Sequence, residues 1–144
     1  MSGKMTYEEV LVSGKPLLHF TVGDSMEPLL YNRDTQVLIE RVSDDTQLKA
    51  GELPLYRRST GQYVMHRIIK ADSDCYYTRG DNRCGLERIP KKWVIGVVTE
   101  IYRKDKHIHV ADSGYRMYVT VWNLIYPLRW LIYRLRRMIH KIKC

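Results

Sequence analysis

The chain has 144 residues, with 24 lysines and arginines against 16 aspartates and glutamates, a formal charge of +8. That length suits one domain with a real core, and 44% apolar residues with nine glycines and five prolines exclude a disordered or collagen-like chain. The charge is uneven: residues 1–114 carry 17 basic and 16 acidic side chains, whereas residues 115–144 carry seven basic side chains and no acidic one.

In chain order, Thr6 to Ser13 predicts a short helix, with Glu8 and Glu9 in its first turn and Gly14 closing it. Leu17 to Val22 predicts a strand running into Gly23-Asp24, and Val37 to Val42 predicts another. Tyr63 to Ile69 alternates and is rich in β-branched residues, and Tyr76 to Thr78 leads into the turn Gly80-Asp81-Asn82. Trp93 to Tyr102 reads as a long buried strand in which Gly96 marks a bulge or a close approach, and His107 to Ala111 alternates again. Short strands broken by Gly, Asp and Asn predict a mainly β, antiparallel domain over residues 1–114, not a βαβ wind.

The tail, residues 115–144, is different in kind. From Val121, apolar residues recur at Leu124, Ile125, Leu128, Leu131, Ile132, Leu135, Met138, Ile139 and Ile142, the spacing of a C-terminal amphipathic helix. Arg134, Arg137 and Lys141 fall opposite this stripe, and Pro127 either opens the helix or kinks a longer one. The longest uncharged run, residues 117–128, is 12 residues, against about 20 for a membrane span. Trp122, Tyr126, Trp130 and Tyr133 are the aromatics of a helix lying on an anionic membrane surface. The alternative is that the stripe packs on the protein's own sheet or on a second copy; the oligomeric state is not specified. A tail of cations without a base-reading module gives no specific nucleic-acid recognition.

Cys75, Cys84 and Cys144 are odd in number and lack CxxC spacing, which excludes a disulfide scaffold and a zinc ribbon. They read as reduced thiols of a cytoplasmic protein, peripheral on the inner face of the membrane through its tail. Glu8 and Glu9 stand where a secretory signal needs an apolar run. His107 and His109 share a strand face without a third ligand, so no metal and no cofactor is expected.

The chemistry gathers at Gly23-Asp24-Ser25-Met26-Glu27-Pro28, where a strand ends in a glycine turn that presents a serine. Serine is a weak nucleophile until a base takes its proton, and acyl transfer also needs N–H donors aimed at the developing oxyanion. Alone, the hexapeptide reads as a plain turn. A second element, Val64-Met65-His66-Arg67-Ile68, supplies an imidazole whose ordinary pKa of about 6.5 makes it a base at neutral pH. A third is Arg79-Gly80-Asp81-Asn82-Arg83, followed by Glu87-Arg88 and the strand with Ile95-Gly96.

In this order the motifs resemble signal peptidase I and its relatives, including the self-cleaving LexA and UmuD proteins: G-x-S-M-x-P, a base followed by Arg, G-D-N, and a closing I-G. The resemblance covers Phe20 to about Val98, over half of the chain. It implies a signal peptidase/LexA-like β-fold and a serine endopeptidase in which Ser25 attacks a peptide carbonyl. His66 then stands in the place of the lysine base of most bacterial members, as in the histidine-base branch. By that branch's spacing the acid orienting His66 is Glu87, with Asp81 as competitor; the other role for Asp81 is to accept N–H groups in its turn or to pair with Arg67. The implied oxyanion hole uses Ser25 and Gly23, the latter standing where the bacterial branch often has a serine, and Met26 and Pro28 lie beside the substrate. The expected substrate is a leader or precursor peptide. A catalytically idle peptide-binding or membrane-adaptor module is the alternative.

Overall fold

A computed structural model describes residues 3–140; Lys141, Ile142, Lys143 and Cys144 of the expected tail lie outside the described residues, as does the side chain of His140. The first helix, α1 (Tyr7–Val12), starts where its local chemistry says it should. The Thr6 hydroxyl accepts from the Glu9 N–H at 3.3 Å and the Glu9 carboxylate accepts from the Thr6 N–H at 2.6 Å, a reciprocal cap that satisfies two otherwise orphan donors. Leu11 is the residue α1 buries.

Nine strands follow among the described residues: β1 (Leu17–Phe20), β2 (Thr35–Arg41), β3 (Pro54–Arg57), β4 (Tyr63–Met65), β5 (Arg67–Ala71), β6 (Cys75–Arg79), β7 (Glu87–Pro90), β8 (Val94–Arg103) and β9 (Lys106–His109). The fold is mainly β, and every strand pair is antiparallel. One sheet runs β1-β2-β8-β3-β4 with β9 added on β8; the other runs β5-β6-β7. The strand expected over 63–69 is two strands in two different sheets, broken at His66. β3 and β7 were not expected, because Pro54 and Pro90 interrupt the sequence signal; each proline is an end residue of its strand, where a missing N–H is tolerated.

Leu11, Met26, Leu30, Val37, Ile39, Leu55 and Ile101 form the core inside the larger sheet, joined by Tyr115. A second cluster, Tyr56, Ile68, Tyr76 and Ile89 among others, lies under the smaller sheet. Both readings of Gly96 hold. The β3–β8 register shifts beside it, and a Cβ there would lie 2.5 Å from Ile39 Cγ2 and 2.9 Å from the Glu40 carbonyl.

The tail begins earlier than expected, as α2 (Ser113–Leu124) followed by α3 (Tyr126–His140). Pro127 is the second residue of α3, where its missing N–H costs nothing. The bonds Ile125 N–H to Val121 O and Arg129 N–H to Ile125 O, both 3.0 Å, carry the helical path across the junction. The side turned to the body is aromatic and basic, through Tyr115, Tyr118, Trp122, Tyr126, Arg129 and Tyr133. The aliphatic stripe instead stays exposed, so it does not pack on the protein's own sheet. Trp122, Tyr126 and Tyr133 each hydrogen-bond to the body.

No helix of the described residues is long and apolar enough to cross a membrane. Cys75 is a buried free thiol; Cys84 is disulfide-bonded, against the expectation of reduced thiols throughout.

Candidate active site

Ser25 sits in the turn that leaves β1. Thr21 anchors the approach, its N–H donating to Thr35 O at 2.9 Å and its hydroxyl to Tyr31 O at 2.9 Å. Gly23 has φ +89°, a left-handed conformation that favours glycine. Its N–H donates to Asn32 Oδ1 at 2.9 Å, so Gly23 is not the oxyanion donor expected of it: its donor is already used. The Ser25 N–H and the Ser25 hydroxyl make no hydrogen bond among the described residues, which leaves the main-chain N–H of Ser25 as the donor available for an oxyanion.

The Gly80-Asp81-Asn82-Arg83 turn closes on this loop. Asn82 N–H donates to Ser25 O at 2.9 Å and the Asn82 side-chain amide to Asp24 O at 3.1 Å. Arg83 bonds the Asp24 carboxylate at 2.6 Å and holds its pKa below the usual range. A Cβ on Gly80 would stand 2.5 Å from Ser25 O and 3.2 Å from Ser25 Cβ, closer than real Cβ atoms approach, so glycine is required there by contact and not by a positive φ. Met26 is buried in the core beneath, and its sulfur accepts from the Asp81 N–H at 3.3 Å.

His66 occupies the single residue between β4 and β5, where the chain passes from one sheet to the other. Burial is the main influence on its imidazole and disfavours the charged form; the Glu87 carboxylate opposes this, and the guanidinium of Arg58 reinforces it. The net result is a pKa lowered to about 4, so the ring is neutral at pH 7. The partner of its Nδ1 is the Tyr56 hydroxyl at 3.5 Å, the outer limit of a hydrogen bond.

Neither expected carboxylate touches His66. Glu87 is chelated by Arg58 at 2.8 and 2.7 Å and accepts from the Tyr56 hydroxyl at 2.8 Å; these bonds to Arg58 are the largest cause of its lowered pKa. Among the described residues it makes no hydrogen bond to His66; it acts on the ring through Tyr56 and through space. Asp81 is paired bidentately with Arg67 at 2.8 and 2.7 Å and accepts from Tyr118 at 2.9 Å. Both side chains of this ion pair are almost fully buried. Asp81 is thus a structural residue, the second of the roles open to it, and not an orienting acid.

Ser25 and His66 line one cleft of about 590 Å³ together with Met26, Gly23, Arg58 and Arg83. No hydrogen bond joins Ser25 to His66 among the described residues. Pro28, expected beside the substrate, is not among the residues lining the cleft; it is exposed and its carbonyl accepts from Arg103 at 3.1 Å. Three cleft or cleft-adjacent residues escaped the sequence reading. His19 faces the cleft with its ring 3.2 Å from the Tyr7 hydroxyl, and burial lowers its pKa. The period-two alternation of His19 and Thr21 toward the Ser25 turn was the signal for it. Tyr56 and Arg58 precede a glycine turn at Gly61, and no local pattern distinguishes them.

In comparison with known proteins, no family model and no curated protein matches the chain.

Proposed function

We propose that the chain is a serine endopeptidase of the signal peptidase I-like kind, with Ser25 as nucleophile and His66 as general base. The observation that carries this reading is the presence, in one cleft, of a serine hydroxyl unbonded among the described residues and a neutral imidazole. The imidazole takes the Ser25 proton as Oγ bonds to the peptide carbonyl carbon, and the Ser25 N–H receives the oxyanion. The imidazolium then protonates the leaving amine, giving an acyl-enzyme that water, deprotonated by His66, hydrolyses. In an empty site such hydrogen bonds are often open and tighten only around substrate.

An extended peptide suits this cleft. β1 and β4 are the two ends of the larger sheet's path, and residues of both, His19 and Tyr63 to Met65, line the cleft. Their outer edges, unpaired among the described residues, offer main-chain hydrogen bonds to a strand laid between them. A leader or precursor peptide presenting an extended segment is the substrate class this favours.

The second reading, an idle peptide-binding module, is favoured by the absence, among the described residues, of a carboxylate bonded to His66 and of a bond from Ser25 to His66. Digestion of a peptide mixture by the parent, Ser25→Ala and His66→Ala, read by mass spectrometry, separates them. Cleavage by the parent alone is expected. Equal cleavage by all three would overturn the dyad, and cleavage by none would assign the cleft to binding.

A further inference from the structure

The α2–α3 pair has two faces that serve different partners. Tyr118, Trp122, Arg129 and Tyr133 turn toward Asp81 and Asn82. Away from the body, Met117, Val121, Leu124, Leu128, Leu131 and Leu135 recur at intervals of three and four residues, and they are between 48% and 77% exposed. This is one continuous aliphatic stripe over both helices, larger than the scattered apolar side chains of an ordinary surface.

Charge decides what covers it. From Ser113 onward the described chain holds five arginines and no acidic residue. Arg129 is buried, where it bonds the Asp81 carbonyl and stacks on Trp122, while Arg116, Arg134, Arg136 and Arg137 are exposed. A second copy docked symmetrically through the stripe would bring together two helix pairs of the same positive sign, with no carboxylate on either to pair with the exposed guanidiniums. An anionic bilayer satisfies both halves at once, taking the aliphatic side chains at its acyl boundary and the guanidiniums at its headgroups.

We propose that this stripe seats the protein on an anionic lipid bilayer, lying in the surface without crossing it. The docking stands whether or not Ser25 is a nucleophile. Its structural consequence is that the seated helices also hold the turn packed on Ser25, so the cleft keeps a fixed position relative to the lipid surface.

Co-sedimentation of the full chain with vesicles of phosphatidylglycerol and phosphatidylcholine, against phosphatidylcholine alone, tests it. Truncation is unsuitable, because α2 completes the core through Tyr115. Binding to the anionic vesicles is expected, weakening with added salt. The double variant Leu128→Glu/Leu131→Glu changes only exposed side chains and should bind at least about tenfold more weakly with unchanged circular dichroism. Arg134→Gln/Arg137→Gln should weaken binding to the anionic vesicles selectively, and Ser25→Ala should bind as the parent does. Equal binding to both vesicle types, or full binding by the Leu→Glu pair, would overturn the proposal. So would an absence of vesicle binding with a dimer in sedimentation velocity that the Leu→Glu pair dissolves, which would assign the stripe to a second copy.

Discussion

The main-chain N–H of Asn82 donates to the carbonyl oxygen of Ser25 at 2.9 Å, across 57 positions of sequence. This bond makes the Gly80–Arg83 turn the mould for the nucleophile's backbone. Gly80 fits against Ser25 only because it lacks a side chain. Gly80→Ala should therefore displace the Ser25 turn and destabilise the fold by about 1–3 kcal/mol, the usual cost of overpacking. Denaturant unfolding measures the stability, and peptide cleavage should fall by more than the folded fraction explains. Unchanged activity and stability would mean that the two turns are not in contact.

Asp81 and Arg67 form the most deeply buried ion pair among the described residues. Burial opposes the charge on Arg67, and Asp81 more than offsets it, leaving the guanidinium pKa above its usual value. Asp81→Asn leaves that cation uncompensated and should cost about 3–5 kcal/mol. Replacing both residues with apolar side chains should recover much of the loss, because the desolvation penalty disappears with the charges. Urea unfolding of the two variants checks the pair.

His66 gives a pH dependence with a definite sign. Its folded pKa of about 4 lies below the ordinary value of 6.5, so the unfolded chain binds its proton first as the pH falls. Its contribution to stability is complete above about pH 6.5 and is lost progressively down to about pH 4, by at most about 3 kcal/mol. A His66→Gln variant should lack that segment of the stability curve. In the proposed peptidase the acid limb of kcat/KM should fall near pH 4 and not near 6.5. An acid limb at the ordinary histidine value would show that the ring is not desolvated.

Tyr56 links Glu87 to His66. Its hydroxyl donates to Glu87 at 2.8 Å and stands 3.5 Å from Nδ1 of the imidazole. Tyr56→Phe should lower kcat about tenfold with little change in KM, as expected for a residue that positions the base without touching substrate. Glu87→Gln should act in the same direction but also release Arg58, whose guanidinium it chelates. A change confined to KM would place Tyr56 in substrate binding instead.

Local chemistry was legible in the sequence because it acts over a few residues. The short helix from Thr6, the turn at Gly23, the apolar runs that become β2 and β8, and the three-and-four spacing of the tail all depend on neighbours within one or two turns of chain. Partner choice was not legible in this way. Glu87, with Asp81 as competitor, was the carboxylate expected at His66, and the outcome depended on two arginines, Arg67 on β5 and Arg58 just after β3. Asn32 took the Gly23 N–H through a loop contact that no motif records.

The charge arithmetic follows the same division. The sequence by itself determined that the basic excess lies in the tail and that the tail is helical, since composition and periodicity are properties of the chain alone. Which side of that helix meets the body was decided only by tertiary structure. A buried carbonyl at Asp81 and a buried carboxylate beside it require donors, and hydrogen bonding there outweighs burial of the aliphatic side. The aromatic and arginine face therefore turned inward, and the aliphatic stripe remained outside.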